Sequence, residues 1–374
     1  MTDRFKSRTA FVFGLALLAF VVLYALYRTP DTFLLSLAGL LFAVLFHAVA
    51  KQIARFMPYG AALALTLVTL LGVLGLFSLT LGPRIGDQIG GLVTSLPSSV
   101  SGVEQVLERR AWGRWLLDEI PLFEDDSGTA LSLTTLGATA SGIVPRLMGF
   151  VGSLSSVFKN ALYVLLISIF FAAGAGTYVR GFAKLFPDEA KAQRVVYRVY
   201  ATLRGWLLGQ FVAMLAVGTL VGLGLWFLGV PFALGLGFIV FVLEFVPTIG
   251  PFLASIPALL LASTQGFNTM LWVVGLFVLV ELIEGNLILP LIHKRAVDLP
   301  PAVTLFSIFI MGTLFGLLGV LVAAPLAAVV VTLVKMLYVR DEFGREVDLP
   351  GNRNKPKDPE SALVQSSHAE RSNA

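Results

Sequence analysis

No cysteine occurs anywhere in the 374 residues, which removes disulfides, thiolate metal sites and cysteine nucleophiles. Histidine is nearly as scarce: His47, His293 and His368 lie far apart and form no zinc-ligand spacing. Charge is the third shortage. Only 13% of the residues are charged while 57% are hydrophobic, and the mean hydropathy is +0.86. Soluble domains average roughly 25% charged residues. A long chain with so little charge cannot cover itself with polar surface, so lipid is the solvent for much of it. The net charge of +4 and the isoelectric point near 9.3 do not point to nucleic acid, because cationic loops beside membrane helices give the same sum.

Catalytic motifs are missing as well. There is no His-Glu-x-x-His for a zinc protease and no Gly-x-x-x-x-Gly-Lys-Ser/Thr loop for nucleotide hydrolysis. No aspartate lies inside a clear apolar span, and Ser141-Gly142 has no histidine in a later span to act as its base. The expectation is a protein that is not an enzyme and carries neither cofactor nor metal. Any transport is then driven by a gradient or is passive, unless a partner supplies energy.

What the chain does contain is apolar runs of membrane-crossing length, about 20 residues each. The first three cover about 9–27, 32–50 and 59–81. The first is too long for a secretory signal and reads as an uncleaved helix. Residues 82–155 form an acidic, amphipathic helical insert with Asp87, Glu104, Glu108, Asp118 and Glu119. A fourth span at about 157–175 leads to a cationic linker, 177–204, in which Pro187-Asp-Glu189 reads as a helix start. The expected fold is all-α and polytopic, with five parts: three membrane helices (1–81), the insert (82–155), the fourth helix and linker (156–205), a transport core (206–340) and a disordered tail (341–374).

Charge supplies the topology, since short Lys/Arg-rich loops face the cytoplasm. Arg4, Lys6 and Arg8 place the N-terminus inside, Lys51 and Arg55 the second loop, and the linker's six cations its own segment. The insert then lies outside, on the periplasmic side. Both His293-Lys-Arg295 and the tail, with Arg340, Arg345 and Arg353, belong inside. That bookkeeping fails if 231–262 crosses once, and it closes if this segment enters and returns to the same side. The same holds for 301–334. Each segment is about 50 Å of helix, too long for one crossing and too short for two. Helix breakers sit near both middles: Pro247, Gly250 and Pro251 in the first, Gly316, Gly319 and Pro325 in the second. Two re-entrant helical hairpins are expected; a single long kinked helix for each is the plainer alternative.

Opposed broken helices make midplane solute sites, because freed backbone and helix ends face a cavity. Glu244 and Glu281 lie at matching depths of about 20 Å along their segments, and Glu284 shares a helix face with Glu281 by its i, i+3 spacing. An ionisable residue inside a membrane is costly and is a functional candidate by default. The candidate pathway residues are Glu244, Glu281, Glu284, Asn286 and Gln210. Arg204 reads as a snorkelling residue and His47 as an interfacial one.

Several motifs carry a family likeness. They are Thr202-Leu-Arg-Gly-Trp-Leu-Leu-Gly-Gln210, Leu228-Gly-Val-Pro-Phe-Ala-Leu234, Glu244-Phe-Val-Pro-Thr-Ile-Gly-Pro251 and Glu284-Gly-Asn-Leu-Ile-Leu-Pro290. Leu299-Pro-Pro301, Gly312-Thr-Leu-Phe-Gly-Leu-Leu-Gly319 and Ala324-Pro-Leu-Ala327 follow. In this order they resemble the autoinducer-2 exporter family across the C-terminal half, while the N-terminal half is similar only in layout. The resemblance implies a multi-pass permease of a bacterial-type cell (inner) membrane, with about eight membrane segments and a homo-oligomeric assembly. It also implies a small solute, the autoinducer-2 signal among them, or sodium exchanged for protons; a sodium- or lithium-for-proton exchange is expected to use Glu244 and Glu281. The expected partners are the lipid bilayer and that solute or cation, with no nucleic acid. A non-transporting membrane scaffold, docking through the insert, is the rival from another class.

Overall fold

The computed structural model describes residue 24 and residues 28–108, 154–247, 249–288 and 300–340. The first expected span, most of the insert, Thr248, His293-Lys-Arg295 and the tail lie outside the described residues. Those described are helical, with no strand among them. Five helices are long and apolar enough to cross a membrane, or six if one bent pair counts as a span.

The N-terminal half packs three helices together. Helix α1 (Pro30–Ile53) opens on a proline, which loses nothing at a first-turn position, and carries Asp31 and Lys51 at the ends that suit the helix dipole. It lies against α2 (Tyr59–Thr80) and α4 (Leu154–Ala173). Gly39 allows the close approach to α4: a Cβ there would fall 2.5 Å from the Ile167 side chain. Small residues let helices meet closely in lipid, where water gives no drive to associate. Helix α2 turns most of its surface outward, with Leu79 80% exposed, as lipid permits.

Helix α3 (Gly82–Glu108) begins the stretch read as an external insert, yet its first half is not a free-standing unit. It packs on the C-terminal half of the chain. The stretch after α4 also differs from a simple linker: α4 ends at Gly174, and α5 (Ala175–Ala183) leaves it at 72°. Asp188 then caps α6 (Glu189–Phe227) by accepting from the Lys191 amide at 2.8 Å. The expected linker and fifth span are therefore one helix of about 58 Å from residue 189 onward, because no breaker interrupts 189–227.

Helix α7 (Ala233–Leu243) returns along α6. Gly218 and Gly222, a Gly-x-x-x-Gly pair, meet Gly237 so closely that a Cβ on Gly237 would lie 2.7 Å from the Gly222 Cα. After a short turn come α8 (Ile249–Gln265) and α9 (Phe267–Ile283), the latter continuing into a wider π-helical turn, Glu284–Ile288. Helices α6 to α9 share one core containing Val217, Val221, Leu236, Ala258, Leu261 and Val273.

Helix α10 (Pro301–Val334) is not one rod. Gly316, at φ 61° and ψ −146°, breaks it into two arms; this region is open essentially to glycine alone. Ile308 of the first arm and Ala323 of the second belong to one packed cluster, although an unbroken helix holds them about 22 Å apart. Gly312 faces Val320, and Gly319 lies directly on the Met311 carbonyl. The arms therefore fold onto each other. Of the three expected breakers, Gly316 makes the bend, Gly319 permits the close approach, and Pro325 sits inside the second arm without interrupting it.

Candidate functional site

Glu244 ends α7. Its amide still bonds to the Val240 carbonyl at 2.8 Å, and the chain then leaves the helix through Phe245, Val246 and Pro247. The turn is tight: Gly250 lies against the Leu243 carbonyl and the Glu244 amide, where any Cβ would collide. Pro251 fits the first turn of α8, where its missing N–H is no loss. Pro257, within α8, was not among the expected breakers.

The Glu244 side chain is wholly buried, at 0% exposure, and neither carboxyl oxygen has a hydrogen-bond partner. A buried polar group without a partner costs about 1–3 kcal/mol in proteins and more when charged, so it is kept for a reason other than stability. The ionisable groups that act on it are Glu284, which is 7% exposed and forms no hydrogen bond with it, and, more weakly, Glu281. Three residues on from Glu281, the onset of the π turn coincides with the inward-facing position, so Glu284 is buried while Glu281 stands on the exposed side. The shared face expected from the spacing is divided by the rim of the packed core. Asn286 is also exposed, its amide donating to the Leu282 carbonyl of its own helix.

Helix α6 holds the turn from the other side. Gln210 donates from Nε2 to the Glu244 carbonyl, one of the acceptors that the helix end leaves free. Trp206, four residues earlier and hence on the same face, sets its ring edge-on to Phe245 at 6.0 Å. Trp206 was not singled out in the sequence; its i, i+4 relation to Gln210 was the available signal. Val246 and Ile249 of the turn pack on Ile308 and Ala323 of α10, so the two breaks meet. The groove alongside, walled by Ile249, Leu305, Phe309 and Val320, is apolar. Among the described residues no group of histidine, aspartate or glutamate is arranged to hold a metal ion.

Two further polar contacts tie helices together, one in each half. The Tyr59 hydroxyl donates to the Ala172 carbonyl at 2.7 Å, so His47 Nδ1 must be the donor in its 2.7 Å bond to Tyr59. The Thr332 hydroxyl donates to the Ala328 carbonyl and accepts from Thr202 at 3.1 Å, fixing the second arm of α10 on α6. His47 thus ties α1 to α2 and α4 through the Tyr59 hydroxyl.

Comparison with known proteins gives this arrangement a family. YueF of Bacillus subtilis (strain 168) is 23% identical over 305 residues, covering 80% of this chain and 82% of its own length. MT0215 of Mycobacterium tuberculosis (strain CDC 1551 / Oshkosh) is 28% identical over 320 residues, 84% of each chain. The AI-2 transport protein TqsA of Escherichia coli (strain K12) is 26% identical over 312 residues, 80% of this chain and 83% of its own. Of these three names only TqsA's specifies a cargo. The family described as AI-2E family transporter matches residues 12–338, both broken segments and the glutamates included. Its members are transporters and not enzymes, which sets the scaffold reading aside. A multi-pass helical membrane protein with a buried carboxyl at a helix break, matched over nearly its whole length, belongs to the AI-2E family of transporters.

Proposed function

We propose that this chain is a secondary transporter or exporter of a small polar solute, whose path runs between the α7–α8 pair and the two arms of α10. The observation that carries the reading is Glu244: a fully buried carboxyl, unpartnered, at the turn where one pair packs on the other. Such a group is completed by a proton, a cation or a donor on the solute. Glu284 and, at the rim, Glu281 extend the polar line, while Gln210 steadies the turn. Asn286, exposed beyond the π turn, belongs to the mouth of the path. Both pairs are re-entrant hairpins in this reading, one entering from each face, and bring the membrane segments to about eight. Both termini face the cytoplasm of a cell whose inner membrane holds the protein as a homo-oligomer. Alternating access is then a movement of the hairpin-bearing half against α1, α2 and α4. Autoinducer-2, named for TqsA, is the first solute to try.

A second reading, sodium or lithium exchanged for protons, has its own observation: Glu244 and Glu284 are both buried beside the same turn, and two buried carboxyls brought together supply the charge that one small cation neutralises. Reconstituted vesicles separate the two. Flux of autoinducer-2 is followed alongside the fluorescence of a trapped pH dye during sodium or lithium pulses. Substituting Glu244→Gln is expected to bring the active flux to background and Glu284→Gln to weaken it strongly. Wild-type flux in both variants would show that the carboxyls lie off the path.

A further inference from the structure

The segment after α4 has a character that transport through the core does not use. Helix α4 has 20 residues, about 30 Å of rise, which equals the hydrocarbon thickness. With α4 as the crossing, α5 starts where the hydrocarbon ends. There the axis swings by 72°, which lays α5 within about 20° of the membrane plane if α4 stands upright. Gly174 makes the corner, with the Tyr178 ring folded over it so closely that a Cβ would meet the ring at 2.6 Å.

Tyr178 and Phe182 follow one another at i, i+4 on α5. The turn beyond keeps their line going, because the amides of Leu185 and Phe186 still bond to the carbonyls of Phe182 and Ala183 at 3.1 Å. All four side chains are exposed, Leu185 at 78%, and the Phe182 and Phe186 rings touch, with centroids 5.1 Å apart. Only Ala183 of α5 is buried. Arg180 and Lys184 lie away from the apolar stripe, and both are exposed. Across 175–204 the cations Arg180, Lys184, Lys191, Arg194, Arg198 and Arg204 outnumber Asp188 and Glu189. An aromatic stripe flanked by cations, on a helix lying beside the end of a membrane crossing, is the pattern of an interfacial helix on an anionic leaflet.

We infer that α5 and its following turn are an in-plane anchor that seats Tyr178, Phe182, Leu185 and Phe186 in the lipid interface and offers Arg180 and Lys184 to anionic phosphodiester headgroups. The anchor joins the end of α4 to the start of α6, so the lipid surface fixes the hinge between the N-terminal helices and the long helix that carries Gln210. The inference holds whatever solute is carried.

The chain's lack of cysteine makes a direct test simple. Spin labels are attached in separate full-length variants, Leu185→Cys and Gly181→Cys; a Cβ at Gly181 meets nothing within 4 Å. Each is reconstituted in phosphatidylcholine vesicles with and without phosphatidylglycerol, and its collisions with oxygen and with a water-soluble nickel chelate are compared. The label at 185 is expected to favour oxygen, about 5–10 Å below the headgroup boundary, and the label at 181 to favour nickel. In lipid mass spectrometry, Arg180→Gln/Lys184→Gln is expected to lower the preference for phosphatidylglycerol over phosphatidylcholine about fivefold per charge. Arg180→Lys/Lys184→Arg is expected to retain it. Deep burial of both labels would make α4 and α5 one bent span. Shielding of the 185 label from both reagents would put a second copy or another protein on the stripe. An unchanged lipid preference in the charge-removed variant would exclude headgroup binding. Each of these three results overturns the inference.

Discussion

At the scale of single residues, what separates the chain from a stack of apolar helices is where a side chain is allowed and where none fits. Gly222 and Gly237 face each other, but they are not equivalent. A Cβ on Gly222 would rest at 3.4 Å from the Gly237 Cα, an ordinary contact, whereas a Cβ on Gly237 would stand 2.7 Å from the Gly222 Cα. Gly222→Ala is therefore expected to leave thermal stability in detergent almost unchanged, and Gly237→Ala to cost about 1–3 kcal/mol through overpacking. Equal melting temperatures for the two variants would show that α6 and α7 do not cross at this point. Glu244 is the converse case, a polar group retained where packing alone calls for a hydrocarbon. Its burial was legible in the sequence as a charge inside an apolar run. Its carboxyl neighbour was not: spacing along α9 puts Glu281 and Glu284 about 60° apart on the helix, and only the outline of the surrounding core selects Glu284.

At the scale of elements, the breaks and the caps govern the shape. Gly316 carries a backbone conformation that other residues enter only with strain, so Gly316→Ala is expected to destabilise the fold-back of α10 by about 1–3 kcal/mol. Gly285→Ala, in open space by contrast, serves as the control in the same unfolding series. Helix α7 has a subtler dependence. Its third amide, Gly235, is one of the orphan donors of a helix start, and it is satisfied by Gln88 Oε1 of α3 at 2.8 Å. Phe232, which precedes the helix in a left-handed conformation at φ 59°, rests its ring on Gly91 of α3. Gln88→Leu leaves the Gly235 amide buried and unpaired, at a cost of about 1–3 kcal/mol, and hydrogen exchange is expected to rise first in α7. Unchanged protection there would mean that α3 does not hold the hairpin. The sequence announced the breakers by residue type, because proline and glycine act locally; it could not announce α3 as a cap, because the two partners are 147 residues apart.

At the scale of the whole molecule, one question is on which side of the membrane each turn lies. The proposed topology has the α8–α9 turn outside and the tail inside. Cysteines introduced at Thr264, which is exposed, and at Asn352 read this out in intact cells with an impermeant maleimide. Labelling at Thr264 and protection at Asn352 are expected; the reverse pattern would invert the topology and move both hairpins to the opposite faces. A second whole-molecule feature is the meeting of the two breaks. Val246 and Ile249 on one side, Ile308 and Ala323 on the other, bring together segments that the sequence shows only as two separate interruptions of apolar runs.

The sequence by itself determined the solvent and the broad class. Composition requires lipid, run lengths set the candidate crossings, and the order of motifs in 202–327 indicated the transporter family to which the chain belongs. These are sums and local patterns, which need no knowledge of what touches what. Only the tertiary structure decided that α6 runs on through the cationic linker, that Gly316 rather than Pro325 bends α10, and that Glu284 and Gln210 are the groups beside Glu244. In an apolar chain nearly every helix face looks alike. The choice of partner therefore rests on the few places where a missing side chain permits contact or a polar atom requires one, and these become visible only when the helices are set against each other.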